Sequence, residues 1–128
     1  MNAMNLRRVL VLAAAGAMVA GLALPAAAEV TTVKGEVITI MCYEGHGKKG
    51  TGQAHRSCAV SCAKKGYPLA ILAADGTYYQ IEGPLTAHDN AQLQKFLAST
   101  VEMKGEVAEK DGKKTITVPA LSDIVAQH

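Results

Sequence analysis

The chain has 128 residues, 13 Lys+Arg against 11 Asp+Glu, three cysteines, four histidines and no tryptophan. That length supports one domain with one modest core, which excludes a multidomain protein or a large enzyme. The formal charge of +2 invites a search for polyanion binding, and the distribution of the basic residues answers it.

Met1 to Ala28 reads as a secretory signal. Arg7 and Arg8 form a positive start, Val9 to Leu24 is apolar apart from two glycines, and Pro25 breaks the run. Ala26-Ala27-Ala28 then offers a small-x-small cleavage site before Glu29. The apolar run is shorter than the roughly 18 to 20 residues of a spanning helix. Pro25 has no cysteine nearby to carry a lipid. The expectation is a cleaved segment 1–28 and a single periplasmic or secreted domain 29–128 with no membrane anchor. Loss of Arg7 and Arg8 leaves 11 basic residues against 11 acidic ones, a net charge of zero with histidine neutral. Such a balance argues against a nucleic-acid partner, which calls for a basic domain.

Residues 30–43, VTTVKGEVITIMCY, are β-branched and loosely alternating, and predict one long strand with a bulge or close approach at Gly35. Its alternation places Met41 opposite Cys42, facing the core. Residues 44–53, EGHGKKGTGQ, hold four glycines and predict a mobile loop. Residues 54–65 predict a short helix closed by Gly66 and stopped by Pro68. Leu69–Ala74 and Thr77–Glu82 flank Asp75-Gly76, and Thr100–Glu109 and Lys113–Val118 flank Asp111-Gly112, two hairpin signals. Between them, Asp89 or Asn90 caps a predicted helix through Ala98 with Leu93, Phe96 and Leu97 on one face. Residues 119–128 read as a tail.

Five strands with a helix between the third and fourth resemble the element order of small exported bacterial OB-fold proteins. The units Val33-Lys34-Gly35-Glu36-Val37 and Met103-Lys104-Gly105-Glu106-Val107 supply matching glycines in the first and fourth strands. The expected fold is mainly β: a five-stranded Greek-key barrel of OB type with two short helices, one of them in a Cys/His insertion after the first strand. An open α+β sheet uses the same elements.

Chemistry concentrates in that insertion. Positions 55, 58 and 62 are i, i+3 and i+7, so a helix aligns His55, Cys58 and Cys62 on one face. Cys42, at the end of the first strand, can fold onto it. The result is a Cys3His set, suited to one transition metal, Zn(II) or Cu(I), with His46 on the glycine-rich loop as an exchangeable extra ligand. The Cys-x3-Cys pair with a histidine resembles the ligand set of copper-delivering exported proteins, and the exported location leans toward copper. Such a module would trade metal with a partner protein for trafficking, sensing or structural support. The alternative is a disulfide, Cys42 with Cys58 or Cys62, stapling a barrel that recognises a partner or small ligand. It leaves an odd thiol, which the metal accounts for. Thiol-redox chemistry at Cys58 or Cys62 is a third use. No nucleophile elbow, phosphate loop, HExxH or paired carboxylates occur, and the expectation is a protein without enzymatic activity. The sequence leaves oligomeric state open.

Overall fold

The first strand, β1, runs Glu29–Thr39 and stops four residues short of the predicted end. Its partner explains the stop. Glu36 to Thr39 pair antiparallel with Leu72 to Leu69 of β2 (Leu69–Leu72), and Pro68 precedes β2. The Ile40 N–H still reaches the Pro68 carbonyl at 3.2 Å, but proline has no N–H to return, and the ladder ends. The chain turns into a helix, α1 (Ile40–His46), which ends at Gly47. Cys42 therefore sits in the first turn of a helix rather than on a strand. Met41, expected in the core, is 48 % exposed on that helix.

A computed structural model describes residues 29–127, and the predicted signal segment 1–28 lies outside them, as does His128. Strands β2 and β3 (Tyr78–Glu82) form the first predicted hairpin, with the Thr77 N–H on the Asp75 carboxylate at 2.9 Å. That bond is the first cause holding the Asp75 carboxyl below its usual range. Strands β4 (Thr100–Lys110) and β5 (Lys113–Thr117) form the second hairpin. Asp111 and Gly112 take φ of 54° and 77°, the pair of positive angles that a tight I′ turn requires. Strand β3 lies parallel to β5, and β1 pairs with β4 from Glu29↔Val107 to Glu36↔Thr100. The order β1-β2-β3-β5-β4 thus closes back on β1 as a five-stranded, OB-fold-like barrel. The predicted tail adds a short strand, β6 (Ile124–Ala126), on the outer edge of β4, with Ile124 nearly buried.

Gly35 and Gly105 mark the positions where β1 and β4 pass from one neighbour to the next. A Cβ on Gly35 would lie 2.2 Å from the Leu72 carbonyl oxygen, and one on Gly105 would lie 2.4 Å from that of Thr117. The paired glycine units are barrel corners with no room for a side chain.

The predicted helix from 89 or 90 to 98 does not form. A short segment, α3 (Ala87–Asn90), is interrupted by left-handed backbone at His88 and Asp89, and Asn90 continues it at φ 62°. Left-handed backbone costs non-glycine residues about 1–2 kcal/mol each, least for Asn and Asp. The buried Asn90 amide offsets part of this by donating to the carbonyls of Ala63 and Tyr67, at 3.2 and 3.1 Å, in and just past the last turn of the insertion helix. At the other end, residues 97–99 are taken by the edge of β1: Ala98 N–H donates to the Val37 carbonyl, and Val37 N–H to that of Ser99. Leu93 and Leu97 are fully buried as the apolar spacing required, without the helix that spacing implied. There are three α-helical segments among the described residues, not two.

Candidate metal centre

The second helix, α2 (Arg56–Lys64), docks on the barrel through two alanines one turn apart. Ala59 and Ala63 are buried in the main core cluster with Val37, Leu69, Leu93 and Leu97. Cys58 and Cys62 precede them by one position each, so they form a parallel row on the flank of the docked face. Small side chains bring the helix close to the barrel, and the sulfur row is left at the margin between core and solvent. Cys58 is exposed and Cys62 half-buried.

The C-terminus of α2 holds Cys62 in place. Gly66, at φ 85°, lets its N–H reach the Ala63 carbonyl at 3.0 Å, while the Tyr67 N–H reaches that of Cys62 at 3.3 Å. This is a Schellman cap, which requires the left-handed glycine predicted at this position. Across the insertion, α1 presents Cys42, buried at 5 % exposure. Helix α1 is tied to β3 by the Tyr78 hydroxyl, which donates to the Glu44 carboxylate at 2.5 Å, and by the Tyr43 ring set edge-on to Tyr78. This hydrogen bond, followed by burial and the charge of Glu44, pushes the Tyr78 hydroxyl up from its ordinary range.

The three sulfurs converge. Cys42, Cys58 and Cys62 Sγ all lie within 4.8 Å of one another, and Cys42 and Cys62 are 3.8 Å apart. A metal–sulfur bond of about 2.3 Å sets sulfur–sulfur edges of about 3.8 Å in a tetrahedron and about 4.0 Å in a flat triangle. The Cys42–Cys62 edge already has that length, and Cys58 completes the triangle with a shift below about 1 Å. A disulfide, by contrast, needs its sulfurs at about 2.05 Å. All three cysteines are free thiols. The donor set fits a soft ion: sulfur only, with no carboxylate in the group.

The histidines stand apart. His55 belongs to a tight turn, Gln53–His55, ahead of α2, so it leaves the helical face on which the i, i+3, i+7 spacing would have placed it. Its ring lines a narrow crevice with Glu36, Gly50, Gly52, Ala59 and Ala98, and its Nε2 is enclosed without a hydrogen-bond partner. His46 is exposed at the end of α1, with its ring centre 6.3 Å from that of His55. Neither joins the sulfur group.

The glycine-rich loop, expected to be mobile, is packed and bonded. Gly50 is buried against the Cys42 backbone, where a Cβ would lie 2.3 Å from the carbonyl oxygen. The Gly52 N–H donates to the Glu36 carboxylate at 2.7 Å, and the Gln53 amide to the Ala98 carbonyl at 2.8 Å. Glu36, Gly50, Glu44 and Asn90 thus frame the centre. In the sequence Gly50 read as flexibility and Asn90 as a helix cap, and neither signal pointed to the centre.

Burial, followed by the hydrogen bond to and charge of Cys42 and the proximity of Cys58, pushes the Cys62 thiol from an ordinary value of 9.0 up to about 11. Folding therefore favours the protonated thiol. The stability this contributes is present below pH 9 and is lost as pH climbs through about 11. Chemical denaturation of the reduced, metal-free protein at pH 8, 9.5 and 11 should show a falling midpoint, with a smaller fall in Cys62→Ala.

No helix among the described residues is long and apolar enough to cross a membrane. The chain matches no protein-family model, no curated protein and no solved structure.

Proposed function

We propose that this protein is an exported carrier of one soft transition-metal ion, Cu(I) in preference to Zn(II), held by Cys42, Cys58 and Cys62. The convergence of three sulfurs within 4.8 Å carries the reading. Three thiolates satisfy Cu(I), whereas Zn(II) requires a fourth ligand that the sulfur group lacks. His55, whose Nε2 lacks a partner, and the exposed His46 are the imidazoles of the same insertion that could be recruited to that position.

The gradient of exposure suits a carrier. Cys58, in solvent, is the sulfur an incoming donor meets first, and it is the first to let go toward an acceptor. Cys62 and the buried Cys42 retain the ion between these events. A sealed structural site would bury all three. The signal-like segment 1–28 supports export.

Anaerobic titration of the reduced protein with Cu(I), against a chromogenic chelator, tests this. Saturation at one ion per chain, with thiolate-to-metal absorption in the near ultraviolet, is expected. Failure to compete with the chelator, or stoichiometric Zn(II) in protein drawn from the exported fraction, overturns the preference for copper.

The 3.8 Å approach of Cys42 and Cys62 favours one second reading, a structural staple between these two. Exchange with an exogenous disulfide, which takes up the two electrons and two protons as its own two thiols, would join their sulfurs and leave Cys58 free. Intact mass without reductant separates the readings: a 2 Da deficit with no metal retained is the signature of the staple.

A further inference from the structure

The neutral balance of residues 29–128 conceals two regions of opposite sign. The insertion, residues 40–68, holds Lys48, Lys49, Arg56, Lys64 and Lys65 against Glu44 alone, a net charge of +4. The remainder holds the other six lysines against the other ten carboxylates, a net charge of −4. The four insertion lysines are exposed. The same insertion leaves Met41 48 % and Tyr67 36 % exposed, two of the four large apolar side chains exposed among the described residues. Met, Tyr and Arg are residue types enriched at protein interfaces, and here they share one insertion with the exposed lysines.

We propose that the insertion is the docking face for a folded protein partner with an acidic surface, steered so that its own metal-binding group meets Cys58. The proposal rests on the carrier reading above and names the chemistry of its partner. Charge complementarity selects the occupant. The net charge of −4 on the remainder disfavours a long polyanion that contacts the whole domain, whereas a compact acidic patch can engage the insertion cations alone. Such complementarity acts on the rate of encounter and fades as salt shortens its range.

The test needs no metal, so it can fail while the carrier reading stands, and the reverse. Two peptides, Glu-Glu-Cys-Glu-Glu and Lys-Lys-Cys-Lys-Lys, are each prepared as the mixed disulfide with the same nitrothiobenzoate. The Cys58 thiolate attacks the peptide sulfur, forms a protein–peptide disulfide and expels the coloured thiolate. The leaving group is common, so the ratio of the two rates reads the field at Cys58 independently of its ionisation. In the reduced apoprotein the acidic peptide should react about tenfold faster near 20 mM salt, falling to within about twofold near 0.5 M. Mass spectrometry assigns the reacting thiol.

Reversal of the insertion charges (Lys48→Glu, Lys49→Glu, Lys64→Glu and Lys65→Glu together) should abolish or invert the preference. The same number of reversals on the barrel (Lys34→Glu, Lys104→Glu, Lys110→Glu and Lys113→Glu) should leave most of it. Equal rates in the wild type, or equal effects of the two variants, would overturn the proposal. So would salt-sensitive binding to phosphatidylglycerol–phosphatidylcholine vesicles that only the insertion variant loses, which would make the occupant a membrane. Salt-sensitive self-association in sedimentation would make it a second copy of the chain.

Discussion

Replacing Cys62 by serine is expected to lower Cu(I) affinity by about a thousandfold or more, measured by competition with a chromogenic chelator. Loss of a residue that merely orients a ligand costs 10–100-fold in other metal sites, and Cys62 supplies a donor atom. Serine keeps the size but replaces a soft sulfur by an oxygen that Cu(I) binds poorly. The position matters as much as the chemistry, since Cys62 holds the 3.8 Å edge with Cys42 and is fixed by the Gly66 cap. Cys42→Ser should match it, with some added loss of stability because the hydroxyl replaces a buried thiol. Cys58→Ser should weaken binding less and slow exchange more, as befits the exposed sulfur. His55→Ala and His46→Ala divide the metals: affinity for Cu(I) should hold within about threefold, whereas a four-coordinate Zn(II) ion that uses either ring would lose tenfold or more.

The cysteines could be placed from the sequence because a helix converts spacing into direction. Cys58 and Cys62, four apart beside Ala59 and Ala63, share a flank wherever the helix docks, and Gly66 announced its end. His55 failed the same reasoning at the helix start, where a one-residue difference in where the first turn begins rotates a side chain by about 100°. The boundary at Thr39 was hidden for a different reason. The β-branched run continues to Ile40, and what ends the ladder is Pro68, the residue just before the partner strand, almost thirty positions away.

The barrel was legible where local chemistry decides, at the turns Asp75-Gly76 and Asp111-Gly112 and at the paired glycine units. It was illegible between β3 and β4, where long-range contacts decide. The spacing of Leu93, Phe96 and Leu97 is helical, and Leu93 and Leu97 are buried as it requires. Yet the backbone between Ala87 and Ser99 is diverted twice, by Asn90 bonding to the end of α2 and by residues 97–99 bonding to β1. Propensity over so short a segment amounts to a few tenths of a kcal/mol per residue, and those contacts outweigh it. The glycine-rich loop failed in the opposite sense. Glycine signalled freedom, but Gly50 is there because the loop must lie against the Cys42 carbonyl.

Gly35→Ala tests the same physics at the centre of the fold, and it should be the most destabilising single methyl in the protein. Its Cβ would lie 2.2 Å from the Leu72 carbonyl oxygen and 2.6 Å from the carbonyl carbon. Both are backbone atoms in a strand hydrogen-bonded to β1 and β3, so no side chain can swing aside. Relief requires the β1–β2 ladder to part near Glu36↔Leu72, where the barrel corner is formed. The expected cost is about 3 kcal/mol, or about 15 °C in Tm for a domain of this size, read by calorimetry on the metal-free protein. Gly105→Ala, 2.4 Å from the Thr117 carbonyl, should cost a similar amount. Gly45→Ala is the control: it meets nothing within 4 Å and lies in α1, where alanine is the better helix former by up to about 1 kcal/mol. Gly50→Ala separates fold from function. Its clash falls on the Cys42 carbonyl, so displacement of that sulfur should cost more in Cu(I) affinity than the substitution costs in Tm.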